Sequence, residues 1–328
     1  MKVTLLSEAD LRSCAGFDRE ALEAVAQGFS RLAEGRAVAP PVVTIEIPEH
    51  SGEVDIKTAY VEGLDCFAVK IASAFLDNPE RGLPRGTGMM VLVSAETGFL
   101  QALLVDNGYL TDLRTGLAGA LAADRLARRE IETAGVIGSG TQARYQMRGL
   151  KMVRDFERLY VYGLAADELA RYVDDMEAEL GVEVIVATTA ETVVRESDVV
   201  VCATPARAPY LRAQWLHPGL HVTSMGSDMP GKQELFGECF ARADRVACDR
   251  VSQCVAIGEL HHVTDAGLLD ESRIDELGEL TAGIKPGRQT DDEITICDLT
   301  GVGVQDTAIA RLAYRRALAA GLGVTFGD

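Results

Sequence analysis

The stretch Ala134-Gly-Val-Ile-Gly138-Ser139-Gly140-Thr141-Gln142-Ala143 decides the fold. It sets G-x-G-x-x-A directly after a short apolar run, Thr133 to Ile137, and directly before a segment of helical composition. Gly138 permits a tight turn, Gly140 lets the backbone approach a pyrophosphate, and Ala143 is small enough for a helix to pack closely on a strand. The helix behind such a turn offers uncommitted N–H groups and the positive end of its dipole to an anion. A purely structural glycine turn could read the same way, so the neighbouring sequence has to discriminate.

Downstream the rhythm alternates: a strand at 158–162, a helix from Ala166, a strand at 182–186, a short helix and a strand at 198–203. Further strands are expected at 221–225, 245–248 and 294–298. Strict alternation of strand and helix predicts a parallel, doubly wound sheet, the context in which the glycine turn binds a dinucleotide. Upstream, an alanine- and leucine-rich helix is expected over 111–127. Before it lie short β-rich runs at 42–47, 54–60, 67–74, 89–93 and 99–105, the last two joined by a hairpin loop at 94–98. They predict an antiparallel sheet or partial barrel. Leu22, Val25, Phe29 and Leu32 mark one face of a helix that Gly35 can end, and 306–322 reads as a closing helix that could return to the first domain.

A chain of 328 residues, 47% hydrophobic and 25% charged, can bury a core without metals or disulfides. Its 50 acidic and 32 basic side chains give a net charge of −18, which argues against nucleic acid and anionic membranes as partners. The basic clusters at 125–129 and 311–316 fit solvated helix faces. Seven scattered cysteines without a C-x-x-C pair read as reduced thiols. With no signal peptide and no apolar stretch of spanning length, a cytoplasmic location is expected. His261 and His262 have only Asp265 a helical turn away and read as solvated histidines, so no metal site is expected.

The cofactor choice rests on the end of the strand Leu159-Tyr-Val-Tyr-Gly163-Leu164-Ala-Ala. An acid there would hold the ribose hydroxyls of NAD and an arginine the extra phosphate of NADP. Neither is present; Asp167 lies further on and reads as a helix cap. The missing phosphate clamp favours NAD and leaves NADP open.

Five separated segments now carry a resemblance: Gly82-Leu-Pro, Leu113-Arg114-Thr115, Val136-Ile-Gly138-Ser-Gly140, Gly226-Ser-Asp228-Met-Pro-Gly231-Lys232-Gln-Glu234-Leu235 and Asp298-Leu-Thr-Gly301-Val-Gly-Val-Gln305-Asp306. Over nearly its full length the chain resembles the ornithine cyclodeaminase and mu-crystallin family. The resemblance implies an α/β protein: a Rossmann-type doubly wound parallel sheet over 116–305 and an N-terminal α+β substrate and dimerisation domain over 1–115. The helix of 306–328 would return to the first domain, and a homodimer is implied. Residues 52–60 and 76–79 look most like the ectoine-utilisation branch, with iminosuccinate reductases close by.

Hydride exchange between a nicotinamide and an amino-acid carbon requires cations for the substrate carboxylate and a group that moves a proton. Lys70 lies mid-strand in an apolar run, where a charge is costly unless paired, although an outward-facing lysine would read the same. Arg114 stands near the start of an apolar helix, where the helix dipole does not favour a cation, and a carboxylate clamp explains it. Both match the family's substrate-carboxylate ligands. Asp228 follows a sheet strand at its carboxyl end; it either caps a helix starting near Pro230 or, as the resemblance implies, moves the proton. Lys57 is a second cation if it faces inward, and would then suit a substrate with two carboxylates. Arg85 and Thr87 lie near a further family ligand position, while an arginine the family carries near 42–47 is missing here. For the cofactor the resemblance and the motif together suggest Thr115, Gly138, Ser139, Gly140, Thr141, Gln142, Ala143, Gly163, Thr204, Met225, Gly226, Asp228, Val302 and Gly303.

Three functions remain open at this level. One is an NAD(P)-dependent oxidoreductase reducing a small imino acid, with iminosuccinate to aspartate in ectoine or hydroxyectoine degradation as the specific form. The second is a cyclodeaminase releasing ammonia from a diamino acid with catalytic NAD+. The third is a mu-crystallin-like protein that only binds NADPH and a ligand.

Overall fold

The computed structural model describes residues 2–229 and 231–327, and within it the chain divides into two compact units, 1–114 with 302–328, and 115–301. The segment Val302–Gln305 groups with the first unit, where the sequence boundary had put it in the second. Gly303 explains the difference, because a Cβ there would stand 2.3 Å from the Thr58 carbonyl oxygen.

The first unit is built on an eight-stranded sheet of β1 (Val3–Ser7), β2 (Ala37–Val38), β3 (Val43–Ile47), β4 (Gly52–Val61), β5 (Cys66–Phe75), β6 (Gly86–Ser94), β7 (Leu100–Val105) and a strand near the C-terminus, Val324–Phe326. The order is Val324–Phe326, β1, β7, β6, β5, β4, β2, with β3 also on β4. Because β1 pairs with β7 in parallel, the sheet is mixed and open rather than purely antiparallel or a barrel. The one-residue alternation of a strand sorts side chains to two faces. Ala59, Ala68, Met90, Leu92, Ala102, Leu104 and Leu6 are buried on one of them, and Lys70 takes a core position in the same row. Helix α1 (Glu8–Cys14) follows β1, and α2 (Arg19–Ala33) buries Ala21, Val25 and Phe29 at helical spacing after Asp18 caps its first turn. Burying Val25 and Phe29 contributes about 1.5–3 kcal/mol each.

The opposite face of that sheet is also apolar. Val43 and Ile45 pair with Ile56 and Val54, and Val38 with Tyr60, while Val324 and Phe326 pair with Leu5 and Val3. Val38, Val43, Ile45, Val324 and Phe326 are each at least half exposed.

The second unit contains β8 (Thr133–Ile137), β9 (Arg158–Tyr162), β10 (Glu183–Val186), β11 (Val199–Cys202), β12 (His221–Ser224), β13 (Arg245–Cys248), β14 (Ile274–Glu276) and β15 (Thr295–Asp298). All pair in parallel in the order β10-β9-β8-β11-β12-β15-β13-β14. The strand near the C-terminus is therefore β16. Helix α3 (Tyr109–Leu126) leads in; α4 (Thr141–Val153), α5 (Ala166–Leu180) and α6 (Ala190–Glu196) alternate with the strands. Short helices α7 (Glu238–Arg242), α8 (Val251–Ile257), α9 (Glu259–Asp265) and α10 (Leu277–Thr281) fill the later connections, and α11 (Gly303–Ala319) returns to the first unit. Strand order reverses between β8 and β11, and the crevice outside the carboxyl ends of an open α/β sheet at such a reversal is where ligands bind.

Candidate active site

The glycine turn occupies that reversal. Gly138 follows β8 with φ of +114°, a backbone region nearly closed to other residues, and its N–H donates to the Tyr162 carbonyl at the end of β9. A Cβ on Gly138 would lie 2.5 Å from the Ala203 carbonyl oxygen just beyond β11. Gly140 is the N-cap of α4, and no side chain caps the helix there. Ala143 is fully buried, Ser139 nearly so, and Gly163 must lack a side chain because a Cβ would come within 2.8 Å of Ser139 Oγ. Thr141 is exposed and Gln142 half-buried in the first turn of α4. A cradle that a single Cβ would fill, backed by an uncapped helix, fits a dinucleotide pyrophosphate.

Two connections on the other side of the reversal are tied together by a carboxylate that sequence reasoning had not singled out. Glu234 is fully buried, and its Oε1 accepts from Thr204 N, Thr204 Oγ1 and Tyr210 Oη at 2.7–2.8 Å. Its Oε2 accepts from Gly226 N at 2.9 Å and Ser224 Oγ at 3.2 Å. Glu259, also buried, accepts from the N–H groups of Glu234 and Leu235, and burial with the nearby Glu234 charge pushes its carboxyl up to about 8. Thr204 thus has its hydroxyl proton committed to Glu234, and Met225 is buried. Asp228, half exposed, pairs with Lys232 at 2.6 Å. No helix begins beside it among the described residues, which removes the helix-cap alternative; Pro230 itself lies outside them. His261 and His262 are half-buried rather than solvated, and the His262 ring donates to the Lys232 carbonyl at 2.9 Å. Asp167 caps nothing: the N-cap of α5 is Ala165.

In the first unit, β4 and β5 place Lys57 directly opposite Lys70 on the face that α11 covers. Both are buried, which excludes an outward Lys70. Lys70 Nζ lies 3.3 Å and Arg114 Nε 3.0 Å from the same oxygen of Asp306 on α11, and Arg114 also reaches Gln305 Oε1 at 3.4 Å. Burial first, then the charges of Arg114 and Lys57, push the Lys70 ammonium down to about 7, against the pull of Asp306. The other oxygen of Asp306 is buried without a hydrogen-bond partner. Asp106, directly after β7, is 1% exposed and pushed up to about 6 by burial. Sequence reasoning gives neither Asp306 nor Asp106 a role; for Asp306 the signal is a Gln-Asp pair opening a helix whose first residues, Gly303 to Ala310, are all buried.

Arg85 and Thr87 do not join this cluster. Thr87 pairs with Ser73, one residue out of phase with the Met90–Lys70 pair, so it lies on the opposite face of the sheet, and Arg85 is exposed. Val302 is the N-cap of α11, with its N–H donating to Gln305 Oε1 at 2.7 Å, and the Thr115 carbonyl accepts from Gln146. Among the described residues no group of three or more His, Cys, Asp or Glu could hold a metal, and no helix is long and apolar enough to cross a membrane.

A doubly wound parallel sheet with an uncapped glycine turn at its reversal defines the class of dinucleotide-binding α/β proteins. Residues 2–321 match the model of the ornithine cyclodeaminase/mu-crystallin family, and the chain belongs to that family. It is 35% identical to alanine dehydrogenase of Archaeoglobus fulgidus, over 98% of either chain. The solved Δ1-pyrroline-2-carboxylate reductase of Thermococcus litoralis, in complex with NADH and L-proline, superposes with a TM-score of 0.93 at 32% identity, covering 98% of this chain and 99% of that one. Iminosuccinate reductase of Paracoccus denitrificans, in complex with NAD+, gives 0.92 at 31% identity over the whole of both chains.

Replacing Asp306 by Ala should leave Lys70 and Arg114 buried without their shared carboxylate, at a cost of about 3–5 kcal/mol. Urea denaturation would show it as a lower midpoint, and Lys70→Met in the same chain should recover part of the loss.

Proposed function

We propose that this protein is an NAD-dependent oxidoreductase that reduces a small imino acid to the amino acid. The observation that carries the reading is the buried Lys57, Lys70 and Arg114 row facing α11, in a chain whose other unit has the nucleotide cradle. Relatives that act on imino and amino acids with NADH or NAD+ support it. NADH, when bound, supplies the hydride for the imine carbon. Residues Gly138 to Ala143, Gly163, Thr204, Met225 and Gly226 would hold it, and Thr115 is proposed to border it. Lys70 and Arg114 hold the substrate carboxylate, with Asp306 and Gln305 fixing the arginine. Asp228 carries the proton exchanged at nitrogen.

Lys57 gives a finer reading. Lys57 is buried directly opposite Lys70, which shares Asp306 with Arg114, and a row of three basic side chains favours an imine with two carboxylates, such as iminosuccinate giving aspartate. The likeness of residues 52–60 to the ectoine-utilisation branch points the same way. A cyclodeaminase would need no net nicotinamide turnover, which the assay below separates.

The protein is further proposed to be a homodimer. The apolar face of the first sheet leaves Val38, Val43 and Ile45 at one edge and Val324 and Phe326 at the other at least half exposed, and a second copy would cover it. Sedimentation equilibrium should give twice the chain mass, and Ile45→Lys should shift it toward one; a wild-type mass of one chain would rule the dimer out.

Keto acids with ammonia, screened against NADH at 340 nm (an assay wavelength, roughly the nicotinamide maximum), should show oxidation in step with amino-acid formation, fastest for the dicarboxylic imine. Asp228→Asn should lose about 100-fold or more in kcat while binding NADH normally. Ammonia release from diamino acids at constant NADH would refute the reductase.

Lys70 sets the pH dependence. Its ammonium holds the carboxylate below about 7 and is lost as pH rises through that value, so kcat/KM, corrected for imine concentration, should fall above pH 7. Lys70→Arg, which stays charged, should be flat there.

A further inference from the structure

We infer that Glu168, in the first turn of α5, is the carboxylate that receives the adenosine ribose hydroxyls and makes the site selective for NAD over NADP. The inference rests on the nucleotide reading of the glycine turn and names a residue to which that reading gave no part.

Where a dinucleotide lies across the reversal of a doubly wound sheet, its adenosine ribose sits at the end of the strand next to the glycine turn, here β9. The residue that ends β9 toward the turn is Gly163, which has no side chain and cannot gain one without meeting Ser139 Oγ at 2.8 Å. Leu164 beyond it is 91% exposed, and the side chains of Ala165 and Ala166 offer no polar atom. The strand end is therefore empty of recognition chemistry, as the sequence had indicated.

The fold brings an acid back from further along. Glu168 Oε1 lies 3.9 Å from the place a Cβ on Gly140 would occupy, the sole atom within 4 Å of that point. The carboxylate thus stands beside the second glycine of the phosphate-binding turn. It is half-buried and makes no hydrogen bond or ion pair with any described residue. A carboxylate accepts from both hydroxyls of a cis-diol and repels a phosphate on either.

Nearby charges agree. Asp167 adds a second acid to the same helical turn. Arg144, the cation nearest the turn, is committed to Asp175 at 2.9 Å and to the Ser139 carbonyl. Arg171 stands one turn further along α5. The uncapped start of α5 would by itself attract a 2′-phosphate, and two acids in its first turn offset that field.

The test is titration of purified protein with NADH and with NADPH, followed by nicotinamide fluorescence, for the wild type, Glu168→Gln, Glu168→Asp and Asp167→Asn. Wild type should bind NADH at least ten-fold more tightly than NADPH. Glu168→Gln should weaken NADH about ten-fold and abolish most of the discrimination, because a hydrogen bond to a charged group is exchanged for one to a neutral amide. Glu168→Asp should fall between, and Asp167→Asn should change the ratio much less. ADP-ribose displacement of NADH should weaken in parallel, which locates the effect on the adenosine half. Unchanged NADH affinity and selectivity in a folded Glu168→Gln protein overturns the assignment. If wild type binds neither nucleotide, the nucleotide reading itself fails, which is a separate outcome.

Discussion

Asp306 is the constraint on which the first unit depends. A charged lysine in a strand interior is unfavourable unless it is compensated, and an arginine in an otherwise apolar helix is too. One oxygen of Asp306 serves both, and it does so from a helix almost two hundred residues further along the chain than Arg114. Thr307 accepts from Ala68 N–H and donates to the Ala59 carbonyl, while Gly303 lets the same helix approach the Thr58 backbone. Helix α11 is thereby fixed in register against β4 and β5. Three basic side chains are buried where apolar residues would need no charged partner, and this is the kind of local cost that proteins keep for function.

The second unit solves a different problem with the same physics. Its ligand edge consists of loops, which have few ways to be held rigid. Here backbone and side-chain donors from two successive loops converge on buried Glu234, whose own backbone is held by Glu259. Fully satisfied buried polar networks of this kind fix one geometry, because every displaced donor would be left unpaired in a low dielectric. The glycine turn needs no such help: Gly138 and the uncapped start of α4 make the cradle from backbone alone.

Much of this was legible beforehand, and the reason is locality. Strands β8, β9 and β13 were placed to the residue, because apolar runs between turn signals and helix patterns depend on near neighbours in sequence. Lys70 and Arg114 stood out as charges in apolar contexts. The short strands β1, β14 and β16 and helix α1 were not anticipated, being too brief to carry a period and existing only through pairing with distant partners such as β7. That Thr87 lies on the face opposite Lys70 is not legible locally, because strand register, set by the whole sheet, decides which face a side chain takes.

By itself the sequence determined the parallel sheet, the glycine turn between β8 and α4 and the presence of basic residues in apolar contexts, since each follows from spacing along a few residues. Only the tertiary structure decided that Lys57 lies opposite Lys70, that Asp306 neutralises two cations at once, and that Glu168 stands beside Gly140 where the strand end has no acid. Those are contacts between segments remote in the chain. Their energies depend on burial and distance, and neither is defined until the chain has folded.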